Sequence, residues 1–165
     1  MNNFLLDTNI IIDAFSADLL RYFKFDAFYI SQVVFREEIK KQISSSNEDD
    51  FNLINESYEE LIIASDYNQT NKNISYYDAL NLSIARERNM ILVTGDQHLL
   101  KFATKQNVSC IGTLKIIEML FDNKIISGEE CIKGLEKIKL DPKRRIPHHL
   151  IDSLIDTIDE VKEPL

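Results

Sequence analysis

The chain has 165 residues, of which 44% are apolar, 4 are Gly and 3 are Pro. This composition allows one domain with a substantial core and excludes two full domains joined by a flexible linker. No apolar run reaches the roughly 18 residues of a membrane-spanning helix, and the first residues do not resemble a signal peptide, so we expect a cytoplasmic protein without a membrane partner. Its 27 acidic and 19 basic residues give a net charge of −8, which taken alone argues against nucleic acid as a partner.

Apolar runs typical of buried strands alternate with stretches of helical periodicity along the chain. This alternation predicts an α/β fold in which a parallel sheet is flanked by helices. The predicted strands cover residues 4–7, 28–30, 51–54, 90–94 and 108–111. The predicted helices cover residues 9–22, 33–43, 58–67, 76–88, 97–105, 114–123, 128–137 and 147–162. Cys110 and Cys131 lack CxxC spacing, so neither a disulfide framework nor a zinc site is indicated.

The segment LDPKRRIP, residues 140–147, separates the C-terminal helix from the rest of the chain. Two prolines bracket its basic cluster, Lys143-Arg144-Arg145. The helix that follows has apolar residues at helical spacing and acidic residues elsewhere on its circumference, so it needs a surface to cover. We therefore divide the chain into a domain of residues 1–140 and a C-terminal element of residues 141–165, whose helix packs on the domain or on a partner.

Four acidic residues occupy similar places in the predicted elements. Asp7, in LLDTNIIID, and Asp96, in ILVTGDQHLLKF, each follow a strand and precede a helix. Glu37, in ISQVVFREEIKK, lies about two turns into the helix after the second strand, and Asp78 lies in the first turn of the helix before the fourth strand. Because the carboxyl ends of parallel strands gather at one edge of a sheet, we expect these four acids to converge.

Converging carboxylates repel each other unless a cation neutralises them. An acid cluster without His or Cys suits Mg²⁺ or Mn²⁺, and one or two such ions promote phosphodiester hydrolysis by lowering the pKa of bound water. Each acid also has a structural alternative. Asp7 and Asp96 fit helix N-caps, Asp78 fits a capping box with Ser75, and Glu37 fits a solvated helix charge. Taken together, the four positions favour a metal site.

The segments around these acids resemble a known family. The chain is similar to the PIN-domain proteins, metal-dependent ribonucleases that are common among the toxin halves of prokaryotic toxin–antitoxin pairs. The matching segments are LLDTNIII (5–12), ISQVVFREEI (30–39), SYYDALNLSIARERN (75–89), ILVTGDQHLL (91–100) and GTL (112–114). The resemblance covers roughly residues 1–140 and implies a PIN-like α/β/α sandwich, with the C-terminal helix as an appended element.

The resemblance also implies roles for particular residues. The candidate catalytic and metal-binding residues are Asp7, Glu37, Asp78 and Asp96, with Mg²⁺ or Mn²⁺ as the cofactor. Asn9 and Thr94 match polar positions beside the first and last acids, where they orient a carboxylate, a water molecule or a phosphate. Glu38 adjoins Glu37 and is the alternative ligand. Glu37 is preferred because it stands six residues after Ser31, the interval usual in the family.

These observations lead to a metal-dependent endoribonuclease as the main functional hypothesis. The resemblance further implies an RNA substrate, a homodimer and a small antitoxin as partner. The candidate RNA-binding residues are Arg86, Arg88, Lys143, Arg144 and Arg145. The alternative is a catalytically weak PIN fold that binds RNA or protein as a regulatory module, which the acidic net charge favours. A phosphoryl-transfer domain of receiver or haloacid-dehalogenase type fits less well, because DTN lacks the second Asp of a DxD motif.

Overall fold

The computed structural model describes residues 2–24 and 27–162, and the short apolar runs form a parallel sheet as predicted. Within this part of the chain the strands are β1 (Phe4–Leu6), β2 (Phe28–Ser31), β3 (Asn52–Ile54), β4 (Ile91–Val93) and β5 (Cys110–Ile111). Their order is β3-β2-β1-β4-β5, and every neighbouring pair is parallel. All of the predicted strands are confirmed, with ends within about two residues of the prediction.

Helices flank this sheet in an α/β/α arrangement, which confirms the predicted fold class. They are α1 (Thr8–Ser16), α2 (Gln32–Val34), α3 (Lys40–Gln42), α4 (Tyr58–Thr70), α5 (Tyr76–Glu87), α6 (Gln97–Lys105), α7 (Thr113–Asp122), α8 (Gly128–Leu140) and α9 (His148–Lys162). A π-helical turn covers Phe35–Ile39, and 3₁₀ turns cover Leu20–Phe23 and Glu48–Asp50. Across the described ranges, no helix combines the length and apolar character that crossing a bilayer requires.

The order in which the chain adds strands to the sheet reverses between β1 and β4. From β1 the chain builds outward through β2 and β3, and then crosses to β4 and β5 on the other side. Ligands of open α/β sheets bind in the crevice beyond the carboxyl ends of strands at such a point. Asp7 follows β1 directly, and its backbone N–H donates to the carbonyl of Val93 in β4 at 3.0 Å. The fold therefore places Asp7 beside residues 94–96, which follow β4.

The helix predicted over residues 9–22 ends early, at Ser16. Asp18 adopts a left-handed conformation, with φ of 58°, and its N–H donates to the carbonyl of Phe15 at 3.1 Å. The N–H of Leu19 donates to the carbonyl of Ala14 at 2.8 Å, which completes a Schellman motif. The same motif ends α5, α6 and α7 at Asn89, Asn107 and Lys124. Because none of these residues is Gly, the usual sequence signal for this helix end is missing.

A π-helical turn interrupts the helix predicted over residues 33–43. The chain passes from α2 through Phe35–Ile39 into α3 without leaving the helical path. A π-helical turn closes hydrogen bonds over five residues instead of four, so it holds one extra residue and rotates the following side chains by about 100°. This rotation determines which of Glu37 and Glu38 faces α1.

The C-terminal elements pack close to the end of α1. A Cβ atom built on Gly134 in α8 would lie 2.9 Å from Leu19 Cδ1 and 3.0 Å from the carbonyl oxygen of Ala17, so a larger residue would push α8 away. The α9 helix lies against α8 and α7 and buries three residues of its predicted apolar face, Ile151, Leu154 and Ile158. As a result, residues 141–147, which join α8 to α9, lie beside α1.

Candidate metal site at the sheet edge

Asp7 is the central buried acid of the sheet edge. Its side chain is only 3% exposed, and it caps α1 because Oδ1 accepts a hydrogen bond from the N–H of Thr8 at 2.8 Å. The other oxygen, Oδ2, accepts from Oγ1 of Thr94 at 2.9 Å. The side-chain amide of Asn81 donates to Oδ1 at 3.4 Å. These donors fix the orientation of the carboxylate from three elements of the fold.

Neighbouring carboxylates act on Asp7 electrostatically. Burial raises the pKa of Asp7 from 3.8 to about 7, and the charge of Asp78 is the next largest cause of this increase. The charge of Glu38 raises it further, whereas the hydrogen bonds from Thr94 and Thr8 oppose the change. A carboxyl group whose pKa increases for these reasons lies among like charges in a medium of low polarity. The site therefore favours either a proton or a cation on Asp7.

Glu38, rather than Glu37, joins this group. Oγ1 of Thr8 donates to Oε1 of Glu38 at 2.8 Å, next to Asp7. Burial and the charge of Asp78 raise the pKa of Glu38, against the opposing effect of the hydrogen bond from Thr8. Glu37 instead pairs with Lys41 at 3.2 Å, and its side chain is 48% exposed. The prediction placed Glu37 in the cluster; the extra residue of the π-helical turn brings Glu38 there instead.

Asp78 and Asp96 complete the group and also cap helices. Oδ2 of Asp78 accepts from the N–H of Ser75 at 3.0 Å, which closes the predicted capping box of α5. Oδ1 of Asp96 accepts from the N–H groups of His98 and Leu99 at 2.8 and 3.1 Å, at the start of α6. Burial raises the pKa of Asp78, and the charge of Asp96 adds to the effect.

Helix capping and metal binding do not compete at these aspartates. Capping uses one oxygen of Asp78 and one of Asp96, and within residues 2–24 and 27–162 the second oxygen of each accepts no hydrogen bond. Asp78 and Asp96 therefore do cap helices, yet one oxygen of each remains for another ligand. The N-termini of three helices also meet here, and their partial positive charges reduce the cost of gathering acids.

Asn81 belongs to the site but was not identified from the sequence. It lies one helical turn beyond Asp78 on α5, is fully buried, and donates to Asp7. Its Oδ1 atom is buried and accepts no hydrogen bond from any described residue. A buried acceptor without a donor is unusual and costs free energy, so it indicates a ligand or water nearby. The only available sequence signal was its spacing of three residues from Asp78.

The chain matches one model of a known protein family. A family model described as a PIN domain matches residues 3–160, which is nearly the whole chain and includes all of these acids. The chain belongs to the PIN-domain family. PIN domains are generally nucleases, and they typically use divalent metal ions. No significant match is found among curated proteins.

The side chains of this PIN domain fit a divalent metal ion by their chemistry. The donors are carboxylate oxygens and one amide oxygen, the ligands that Mg²⁺ and Mn²⁺ prefer over zinc. A cation would offset the burial and the charges of Asp78 and Glu38 that raise the pKa of Asp7, and the unpaired Oδ1 of Asn81 is a further oxygen of the kind such a cation binds. In the described part of the chain, no three Asp, Glu, His or Cys side chains are already arranged to hold a metal ion.

A cavity of about 940 Å³ opens beside the acids of the PIN domain. Asn9 and Asp96 are among its lining residues, and so are Lys143, Arg144 and Arg145 of the basic turn. Thr94 is buried beneath and links the acids, because its Oγ1 donates to Asp7 and accepts from the N–H of Asp96 at 3.2 Å. The structure thus brings the predicted polar and basic residues of these segments to one place.

Arg86 and Arg88 lie elsewhere. Arg86 lies in the last turn of α5 and Arg88 directly follows the helix, about 12 Å and about 15 Å along its axis from Asp78. Arg86 donates to the hydroxyl oxygen of Tyr67 at 2.5 Å, and Arg88 pairs with the buried Glu60 at 2.7 Å. The structure therefore gives these two predicted RNA-binding residues partners within the fold and does not bring them to the cavity.

We expect replacement of Asn81 by Leu, which has a similar shape, to reduce metal-dependent activity more than stability. The substitution removes a buried unpaired acceptor, so the metal-free protein should unfold within about 1 kcal/mol of the wild type. It also removes a donor that orients Asp7. Loss of such a group typically weakens metal binding by roughly 10- to 100-fold. Titration with Mn²⁺ followed by thermal unfolding measures both effects. Unchanged metal affinity would contradict this role for Asn81.

Proposed function

We propose that this PIN domain is an endoribonuclease that hydrolyses RNA phosphodiester bonds with Mg²⁺ or Mn²⁺. The observation that carries the proposal is the group of carboxylates where the strand order reverses: Thr8 donates to both Asp7 and Glu38, and the charge of Asp78 acts on both of these acids. Membership of a nuclease-type family agrees with it. The net charge of −8 is not an objection, because bound cations and a basic cavity wall change the charge locally.

Each residue of the site has a definite part in this proposal. Asp7, Glu38 and Asp78 hold the cation, and Asp96 provides a further carboxylate at the cavity edge. Thr94 and Asn81 keep the Asp7 carboxylate in its orientation through the hydrogen bonds described above. The exposed amide of Asn9 faces the cavity, where it donates to a phosphate oxygen of the substrate. No side chain of the protein is needed as a nucleophile.

The bound cation supplies two kinds of chemistry: it lowers the pKa of the attacking water, and it neutralises negative charge on the phosphate as the bond breaks. Because Asp7 is buried, bulk solvent does not reach its carboxylate from the side of the sheet. The low local polarity also strengthens the attraction between the carboxylates and the cation. These properties suit hydrolysis of a bound phosphodiester.

Cleavage of mixed RNA substrates in Mn²⁺ or Mg²⁺ tests the proposed function. We expect wild-type protein to cut RNA, EDTA to stop the reaction, and Asp96→Asn to lower the rate at least about 100-fold. Asn caps helices as well as Asp does, so α6 should remain folded in this variant, and thermal unfolding checks this. Wild-type protein that leaves every RNA intact, or an Asp96→Asn variant with full activity, would overturn the proposal.

The acidic outer surface of α9 favours the alternative, a catalytically weak regulatory module. Its exposed acidic residues are Asp152, Asp156, Asp159 and Glu160. An acidic surface of this kind suits a basic protein partner more than RNA. Protein that binds a partner or RNA and never cleaves would support this alternative. A homodimer, a small antitoxin, a role as a toxin and a cytoplasmic location stay predictions from the sequence.

A further inference from the structure

The turn of residues 141–147 makes the cavity beside the acids locally basic. Four cationic side chains line the cavity, namely Lys115, Lys143, Arg144 and Arg145, against two carboxylates, Asp13 and Asp96. The chain as a whole is acidic, with a net charge of −8. A positively charged wall next to the proposed metal site is where the backbone of a nucleic acid would bind.

Arg144 differs from its two basic neighbours because it is almost buried. Its side chain is 11% exposed, and its Nη1 donates to Oδ1 of Asp13 at 3.1 Å. The other oxygen of Asp13 accepts from Oγ1 of Thr113 at 2.6 Å. Asp13 therefore connects α1, the start of α7 and the basic turn. Both charges of this pair are removed from water, so each depends on the other for compensation.

Asp141 holds the backbone of the same turn against α1. Its Oδ2 accepts from Oγ of Ser16 at 2.9 Å, and its Oδ1 accepts from the N–H of Lys143 at 2.9 Å. Oδ2 also lies 3.8 Å from Nε of Arg144. The turn is thus attached to α1 at two points, Ser16 and Asp13, and its backbone conformation is fixed on the side that faces the cavity.

Lys143 and Arg145, in contrast, are exposed and line the cavity. Neither side chain forms a hydrogen bond or an ion pair with any residue of the described ranges. Because they flank Arg144 in the sequence, the attachment of Arg144 to Asp13 also determines where these two cations lie. They remain available for a ligand with several negative charges.

We propose that Arg144 is a positioning residue whose ion pair with Asp13 holds Lys143 and Arg145 where they bind RNA phosphates beside the acidic site. This inference rests on the proposed ribonuclease function and changes the predicted role of Arg144, which is a structural support for the turn and does not itself contact phosphate. The ligand class is a flexible, single-stranded phosphodiester chain, since two exposed cations on one turn match successive phosphates rather than a particular base.

Binding of a fluorescent single-stranded RNA, measured in EDTA at several salt concentrations, tests this arrangement without cleavage. Lys143→Ala/Arg145→Ala should weaken binding about tenfold and reduce the slope of log affinity against log salt by about 1.4, or about 0.7 for each lost phosphate contact. The double variant Asp13→Asn/Arg144→Met should lose affinity and slope by similar amounts. Lys139→Gln is the matched control, because it breaks an exposed ion pair with Asp152 in the same C-terminal region. It should bind RNA like the wild type.

The single variants Asp13→Asn and Arg144→Met each leave one buried charge unpaired and are expected to be less stable than the double variant. The double variant therefore keeps the test valid even if a single variant does not fold. If Asp13→Asn/Arg144→Met folds and keeps wild-type affinity and slope, Arg144 does not position the turn. If it loses affinity while Lys143→Ala/Arg145→Ala does not, Arg144 itself contacts phosphate. Either result, or a wild-type protein that does not bind RNA, overturns the proposal.

Cleavage assays separate this proposal from the proposed function. For active protein, Asp13→Asn/Arg144→Met should raise KM with little change in kcat, because binding weakens while the acids stay in place. RNA binding without cleavage would refute the ribonuclease function and leave the binding surface supported. Cleavage with unchanged KM in this variant and in Lys143→Ala/Arg145→Ala would refute the binding surface and leave the ribonuclease function intact.

Discussion

Asp7→Asn should abolish RNA cleavage while it stabilises the metal-free protein. We expect kcat/KM to fall about a thousandfold, which corresponds to about 4 kcal/mol of lost transition-state stabilisation. The amide still caps α1 and still meets Thr94, so the fold is kept. It removes a carboxylate whose charged form is disfavoured by burial and by the charges of Asp78 and Glu38, and this is why stability increases. Cleavage rates and thermal unfolding in EDTA measure the two effects.

The stability difference should depend on pH in a definite direction. The folded protein keeps the proton of Asp7 up to about pH 7, whereas the unfolded chain loses it near pH 3.8. Between these values the unfolded chain binds fewer protons, so the contribution of Asp7 to the free energy of unfolding decreases as pH rises and becomes constant above about pH 7. The wild type loses at most about 4 kcal/mol of its free energy of unfolding in this way. Asp7→Asn has no carboxyl group at this position and does not lose this contribution.

Denaturant unfolding in EDTA from pH 4 to pH 8, on wild type and Asp7→Asn together, isolates this contribution. Acids that do not interact with Asp7 titrate alike in both proteins, so they cancel in the difference. The variant should gain stability over the wild type as pH rises. A constant difference, or one that shrinks toward pH 8, would show that burial and the neighbouring carboxylates do not raise the pKa of Asp7 in the folded state.

Glu38→Gln should reduce cleavage strongly, and Glu37→Gln should hardly affect it. Glu38 lies beside Asp7 and Asp78, whereas Glu37 forms an exposed ion pair with Lys41. We expect Glu38→Gln to lower kcat/KM at least about 100-fold because a ligand is lost. Glu37→Gln loses only an exposed pair, which is worth well under about 1 kcal/mol of stability.

The two variants serve as controls for each other, because they make the same chemical change at adjacent positions of one helix. Steady-state cleavage of a single RNA and titration with Mn²⁺ should separate them by both kcat/KM and metal affinity. Equal effects, or a larger effect at Glu37, would mean that the helix register differs when the cation is bound.

The sheet and most helices follow from local patterns in the sequence. Apolar runs such as MILV, residues 90–93, are short and bounded by polar residues, and the helix over residues 97–105 was predicted with its observed ends. Asp96 signals the start of this helix because its cap is a local interaction. The end of α1 could not be predicted, since Asp18 replaces the Gly that usually marks a left-handed helix end.

Sequence patterns could not show which of Glu37 and Glu38 joins the other acids, and the reason is geometric. Counting six residues from Ser31 assumes α-helical spacing, and the π-helical turn at Phe35–Ile39 invalidates that count. Glu37 and Glu38 are chemically identical, so composition could not distinguish them. The choice between them depends on how Phe35 and Ile39 are buried against the sheet, which is a property of the tertiary structure.

Sequence patterns could not reveal the partners of the basic residues, because these partners are distant in the sequence. Arg144 and Arg145 are adjacent and equally basic, but one pairs with Asp13, 131 residues away in the sequence, and the other is exposed. Asn81 likewise meets Asp7 across 74 residues. Contacts over such separations depend on the packed fold. Sequence patterns identified the acids and the basic turn, and the structure shows which residues each of them contacts.

Anomalous diffraction from crystals grown with Mn²⁺ tests whether Asp7, Glu38 and Asp78 bind a cation, because it locates the ion without reference to any substrate. We expect a peak at about 2.1 Å from carboxylate oxygens of these three residues, with Asp96 nearby. Glu37 should still pair with Lys41. No peak at this edge of the sheet at saturating Mn²⁺, or a peak bonded to Glu37 instead of Glu38, would contradict this expectation.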